Sequence, residues 1–306
     1  MDACLGIVLQ IGVVMTRQKR QMAYGLVYIL PSFILIFVFA VIPIFMSGYF
    51  SFTDYNVYNP PKWAGFANYI QAFKDSYVKD SLKNTLVYVI ITVPLQTIIS
   101  LLFANFLADR MRTKVGGFLR SAMFIPVIAS AITAGAVWRI IMATDGGIIN
   151  SLLATLHVPS VNWLGSSSIA LISVGIVAIW KNVGYFLVIY YAGIMGISSE
   201  LLEAAEVDGA TTLQKFFAIT VPMLKPITYM VLTLGIIWSF QVFDLVYVMT
   251  GGGPGRSTIT LVMTIYNSAF KDYKMGYASA VAMILLFIIL IINAMQQHFF
   301  KEKEAK

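Results

Sequence analysis

The sequence predicts an all-α polytopic membrane protein of six transmembrane helices, and three observations predict it. Hydrophobic residues make up 59% of the chain and charged ones 11%, where soluble globular domains run near 45–50% and 25%. Mean hydropathy is +0.81. Crossing a hydrocarbon core takes about 20 mostly apolar residues, and six stretches reach that length: 24–50, 83–108, 120–143, 168–195, 226–249 and 276–298. A β-barrel wall would alternate apolar and polar residues. Runs such as Met283 to Ile292 are apolar without alternation, so the spans read as helices, which satisfy every backbone group internally.

Residues 1–22 precede the first span and read as a cytosolic lead. The apolar run Leu5 to Val14 comes before Arg17, Lys19 and Arg20, the reverse of a secretory signal, whose basic region leads. Met15 followed by Thr16-Arg17-Gln18-Lys19 is a conventional entry to a first helix, so residues 1–14 carry the expectation of a misassigned start codon. No internal repeat or low-complexity linker interrupts 23–300, which reads as one transmembrane domain, and 301–306 form a cytosolic tail.

With both termini in the cytosol, Arg17, Lys19, Arg20, Arg110, Arg112, Lys114, Arg120, Lys215, Lys225, Lys301, Lys303 and Lys306 fall inside. Lys62, Lys74, Lys79, Arg256, Lys271 and Lys274 fall outside, and Lys83, Arg139 and Lys181 lie in or beside helices. That asymmetry follows the positive-inside rule. It also accounts for the net charge of +7, because the basic residues flank helices on one side instead of forming an aromatic-lined basic groove, and nucleic acid is not an expected partner. Cys4 is the single cysteine, which excludes a disulfide within the chain and a cysteine-cluster metal site. No metal site is expected.

After the first span, Ser51 to Asp80 carries Asn59-Pro60-Pro61, then Trp63, Phe66, Tyr69, Ile70 and Phe73 at spacings of three and four. This predicts a turn followed by an amphipathic helix. Such an element rests on the outer membrane interface or touches an external partner, and both can hold at once.

The polar loop 197–225, between the fourth and fifth spans, is the most informative stretch. Ser198 or Ser199 can cap a helix whose opening turns carry Glu200, Glu203 and Glu206, favourable at the positive end of the helix dipole. Ala204 and Ala205 keep its surface low. Asp208-Gly209 signals a turn or C-cap, and Thr211 with Gln214 has the spacing of a capping box opening a second helix. Pro222 and Pro226 then restrict the approach to the fifth span. Two short helices meeting at Gly209, with small residues centrally and acids at one end, suit insertion into a groove on another protein; an ordinary loop helix is the plainer alternative.

Glu203-Ala204-Ala205 through Asp208-Gly209-Ala210, closed by Ile219-Thr220-Val221-Pro222, resembles the EAA loop of the membrane subunits of bacterial ABC importers. Further matches narrow the resemblance to the maltose, glycerol-3-phosphate and oligosaccharide branch: Asn150 after Gly146-Gly147, Trp180, Phe243-Asp244, Thr250-Gly251-Gly252-Gly253-Pro254, Thr258 and Gly276-Tyr277-Ala278. It covers residue 22 to the end. The glycine-rich stretch resembles the first permease of a non-identical pair, with Gly251, Gly252, Gly253 and Pro254 in an external loop facing a binding protein. The resemblance implies a partner permease, two ATPase subunits, an extracellular solute-binding protein and a carbohydrate substrate in a bacterial inner or plasma membrane. This chain has no GxxxxGK[ST] phosphate loop. It is therefore expected to be a non-catalytic subunit without a cofactor of its own, ATP and Mg being held by the partner ATPases. Glu203, Ala204, Ala205, Asp208, Gly209 and Pro222 are the residues implied to couple to them.

In such permeases the substrate path lies between subunits, lined by the helices before and after that loop. On the fifth, Trp238, Gln241 and Asp244 recur every three residues and share roughly one face; on the fourth, Asn182 and Tyr185 repeat the spacing. Aromatic rings suit the apolar faces of pyranoses, and amides and carboxylates satisfy hydroxyl groups. Each of these side chains could instead serve helix packing. Lys181 lies about 21 Å along its helix from the cytosolic end at 1.5 Å per residue, where a charge costs on the order of 3 kcal/mol. Asp244, about 27 Å along the next helix, is a candidate ion-pair partner; alternatively Lys181 attracts an acidic substrate. Arg139, near the outer end of the third span, is expected to snorkel toward water.

The rival classes fit less well. A carrier or channel working without ATP commonly needs buried acids or histidines as relays, and the spans offer one deep acid, Asp244, with His157 and His298 at ends or in loops. A membrane enzyme would need paired carboxylates, a metal cluster or an activated nucleophile, which these spans do not supply.

Overall fold

The computed structural model describes residues 17–108 and 114–301. The expected start codon, most of the tail, and Arg110 and Arg112 lie outside them. The first helix, α1 (Arg17–Ile36), already includes Arg17, Lys19 and Arg20, and runs through a π-helical stretch, Phe37–Val41, into α2 (Ile42–Ser51). Then come strands β1 (Thr53–Asn56) and β2 (Asn59–Trp63), α3 (Ala67–Lys74), α4 (Ser76–Ala108), α5 (Lys114–Ile128), α6 (Ala131–Ile141) and α7 (Ile148–Thr155). The second half comprises α8 (Ala170–Met195), α9 (Ser199–Val207), α10 (Thr212–Lys215), α11 (Val221–Met223), α12 (Lys225–Phe240), α13 (Asp244–Met249), α14 (Leu261–Tyr266) and α15 (Met275–Lys301).

Four segments are long and apolar enough to cross a membrane: Val27–Ser51, Ser76–Ala108, Ala170–Met195 and Met275–Phe300. Two more qualify only as bent pairs, Gly116–Ile128 with Ala131–Ile141 at 104° and Thr212–Met223 with Lys225–Phe240 at 69°. The chain is a multi-pass helical protein with four to six spans.

The straight third span expected over 120–143 is broken. Ser130 takes an extended conformation (φ −57°, ψ 139°) between α5, which contains Pro126, and α6; a proline inside a helix removes one ladder hydrogen bond and weakens the turn around it. The span expected over 226–249 is broken too. Its helix stops at Phe240, Phe243 has φ −137° and ψ −58°, and α13 restarts at Asp244. Before it, Leu224 (ψ 4°) turns the chain and Pro226 stands at the opening of α12, where its missing N–H costs no intrahelical bond.

The all-α expectation needs one correction. β1 and β2 form an antiparallel hairpin pairing Thr53 with Trp63 and Asp54 with Lys62, with an irregularity between Asp54 and Asn56. Asn59-Pro60-Pro61, expected to be the turn, lies in β2. Proline is tolerated on an edge strand, whose outer N–H groups have no ladder partner. The turn falls at Val57-Tyr58 instead, where the Asn56 carboxamide oxygen accepts from the Asn59 backbone N–H at 2.9 Å. The following helix starts at Ala67, so Trp63 and Phe66 precede it. Asn68 then ties α3 to the end of the first span, donating to the Ser51 and Thr53 carbonyls at 3.0 and 2.8 Å.

The core forms where α4, α8 and α12 pack. Ala104, Leu107, Phe186, Leu187, Tyr190, Leu224 and Val231 make one buried cluster, and Tyr88, Leu171, Val174, Val177, Leu245 and Val246 another. Apolar burial gives little drive within lipid, so close contact and interhelical hydrogen bonds hold such helices together. Ser100 accordingly donates to the Val183 carbonyl at 3.1 Å, and Thr92 lies 3.1 Å from the Ser239 hydroxyl.

Candidate functional site

The loop residues singled out from sequence fold into one compact unit. Helix α9 spans Ser199–Val207 with Ser198 at its N-cap position, although no side-chain cap bond forms there. Its end is closed by two backbone bonds, Gly209 N–H to the Glu206 carbonyl at 3.0 Å and Ala210 N–H to the Ala205 carbonyl at 2.9 Å, the pairing of a Schellman motif. Gly209 has φ +81°, a left-handed conformation that a side chain with a Cβ disfavours by about 1–2 kcal/mol. Thr211 opens α10 as a complete capping box with Gln214. Lys215 reaches back to Glu206 at 3.5 Å, joining the two helices across the turn.

This unit shows its surface almost entirely. No residue of α9 is buried, and Val207, Leu213 and Phe217 are 88, 70 and 66% exposed. Glu203, Ala204, Asp208, Gly209 and Pro222 are exposed and Ala205 is half-buried. What anchors the unit follows it: Phe216, Thr220 and Leu224 are buried, so the exposed helices are fixed to the start of α12.

Of the path candidates, the structure brings some together and separates others. Tyr185 and Trp238 meet with ring centroids 5.0 Å apart, and Trp238 also contacts Phe186 at 5.4 Å. Asn182, half-buried, donates to the Gln96 carboxamide at 3.4 Å. Trp238, Gln241 and Asp244 do not share one continuous helix, because α12 ends before Gln241. All three are nevertheless exposed, while Ser239 and Phe240 between them, and Leu245 and Val246 just beyond, are buried. The proposed ion pair between Lys181 and Asp244 does not form: the two ion pairs among the described residues are Lys215–Glu206 and Arg256–Asp80. The break accounts for this, placing Asp244 in the first turn of a new helix where the dipole favours a carboxylate without a cation. Arg139 is exposed.

Gly251 to Pro254 form a built turn. Gly251 and Gly252 have φ +61° and +91°, the Gly253–Pro254 bond is cis, and the Thr258 hydroxyl donates to the Gly253 carbonyl at 2.8 Å while meeting that of Thr250 at 2.8 Å. Gly253 and Pro254 edge an open cleft of about 400 Å³ with Arg139, Thr144 and Asn162. Asn150 organises the neighbouring loop. Buried, it donates to the carbonyls of Thr144 and Val161 and accepts from Val161 N–H and the Trp163 indole.

Two residues that sequence reasoning passed over belong here. Gln96 is fully buried beneath Asn182 and faces Gly235, where a Cβ would come within 2.7 Å of its amide nitrogen. Its signal was the polar series Thr92, Gln96 and Ser100, four residues apart on an apolar helix. Tyr247 continues the three-residue spacing of Trp238, Gln241 and Asp244 and is likewise exposed.

A bundle of apolar helices that carries an exposed helix pair between two of its spans defines a multi-pass membrane protein. The chain belongs to the family described as binding-protein-dependent transport system inner membrane component, whose model matches residues 4–304. A probable ABC transporter permease of Bacillus subtilis, YurN, is 34% identical over 94% of this chain and 98% of its own length. The trehalose/maltose transport system permease MalF of Thermococcus litoralis is 31% identical, covering 90 and 92%, and the arabinooligosaccharides permease AraP of B. subtilis is 32% identical, covering 86 and 82%. Among solved structures, a chain of a bacterial ABC transporter that imports the acidic polysaccharide alginate superposes with a TM-score of 0.82 at 20% identity, covering 93% of this chain and 96% of that one.

Proposed function

We propose that this chain is the first of two non-identical permeases in an ATP-driven importer of carbohydrate, an oligosaccharide or related polyol delivered by an extracellular solute-binding protein. The observation that carries the substrate class is the set of relatives at 31–32% identity whose names specify trehalose/maltose and arabinooligosaccharides. In this reading each bent pair counts as one span. Six spans then set both termini in the cytosol of a bacterial inner or plasma membrane, with Gly251 to Pro254 on the side of the binding protein.

The chain moves solute without performing chemistry. ATP and Mg sit on two partner ATPases, and α9 with α10 transmits their closure. The pair can do so because the Schellman closure, the capping box and the Lys215–Glu206 bridge hold it as one body, and the buried Phe216 and Leu224 join that body to α12. A displacement of the loop therefore tilts the helix that carries Trp238. Lys181, Asn182, Tyr185, Trp238, Gln241 and Asp244 line the path, and Gln96 holds the Asn182 amide in place.

Purification of the tagged chain from its native host in mild detergent, followed by mass spectrometry, tests the assembly. Recovery of a P-loop ATPase and a second, different permease is the expected result. Recovery alone or as a homo-oligomer, with ATP-independent uptake into liposomes, would favour a secondary carrier or channel.

A further inference from the structure

A second aromatic cluster gathers around α13 and α14, past the break that follows Trp238. Phe243, packed on the core, stacks on Tyr247 with centroids 5.2 Å apart and meets Tyr266 at 4.9 Å. Tyr266 contacts Tyr247 at 5.7 Å and Phe270 at 5.3 Å. Lys271 places its ammonium 6.0 Å from the Tyr247 ring centroid. Phe243 thus fixes the rings from behind, while Tyr247 and Phe270 stay 42 and 61% exposed.

Exposure follows a pattern. From 238 to 249, the exposed positions are Trp238, Gln241, Asp244 and Tyr247, so the exposed side chains of this stretch read aromatic, amide, carboxylate, aromatic in chain order. Lipid would not favour a carboxylate and an ammonium on such a face, and the cores of protein interfaces are depleted in charge. A pyranose suits the mixture: its C–H face stacks on a ring and its hydroxyls donate to a carboxylate and accept from an ammonium.

We infer that Tyr247, backed by Phe243 and flanked by Tyr266, Phe270, Asp244 and Lys271, is a saccharide-stacking platform that receives substrate before it reaches the Tyr185–Trp238 pair. The inference rests on the carbohydrate-importer reading and, Asp244 apart, assigns specificity to residues outside the six path candidates.

The test places 3-fluorotyrosine at 247 in the complete complex in nanodiscs and follows its fluorine resonance. The probes are maltotetraose, an arabinotetraose and a uronate tetrasaccharide, with glycerol as control. The saccharide that the wild-type complex imports should shift the resonance saturably and glycerol should not. In uptake assays with that saccharide, Tyr247→Ala should fall about tenfold at unchanged membrane abundance, and Tyr247→Phe, which keeps the ring, should stay within about twofold. A silent resonance at saturating saccharide, or wild-type uptake by Tyr247→Ala, would overturn the inference alone. Sensitivity of the resonance to the second permease but not to saccharide would overturn it in favour of a subunit contact. Failure of the wild-type complex to import any of the three would contradict the carbohydrate reading itself, and this inference with it.

Discussion

Gly209 is the residue on which the coupling proposal makes its sharpest demand. Its φ of +81° aligns the two bonds that end α9, and nothing lies within 4 Å of where a Cβ would stand, so the constraint is conformational and not steric crowding. Valine there costs about 1–2 kcal/mol in the left-handed region, while asparagine tolerates it. Gly209→Val should therefore insert at normal abundance yet lose at least tenfold in ATP-driven uptake, with Gly209→Asn retaining most of it. Wild-type uptake by Gly209→Val, normalised to membrane abundance, would remove Gly209 from the mechanism. Gly209, Thr211 and Gln214 were legible in the sequence because turn and capping chemistry are local. Gln96 was not, since its partners Asn182 and Gly235 lie on other helices and only folding brings them beneath it.

At the scale of elements, local signals set where helices start and stop, and long-range packing decides which of them stay straight. The capping box at Thr211 predicts a modest, measurable effect: Thr211→Ala should lose about 1 kcal/mol of local helix stability. Amide exchange of residues 212–215 should then quicken about fivefold, since that energy is roughly a factor of five at 25 °C. Unchanged exchange would show that the surface helix is held by Phe216 and Leu224 alone. The breaks at Ser130 and at residues 241–243 escaped the sequence reading because both fall within runs whose hydropathy alone favours a continuous span. The hairpin escaped because Asn59-Pro60-Pro61 has the composition of a turn and is tolerated in a strand only where that strand lies at an edge.

At the scale of the whole molecule, composition alone made the helical membrane class legible, whereas the number of spans depends on how the bent pairs sit in a bilayer. Topology gives a direct check, because Cys4 is the single cysteine and Cys4→Ser leaves a clean background. Single cysteines at Asp208 and at Val57 should react with an impermeant maleimide from opposite sides, the first only after permeabilisation from the cytosolic face. Labelling of both from one side would contradict an arrangement with six spans. The measurement that bears most directly on the account is solute uptake by proteoliposomes holding the purified complex and its binding protein, with ATP inside or withheld. The account predicts carbohydrate accumulation only with ATP and only with the binding protein; equal uptake without ATP by this chain alone would contradict it.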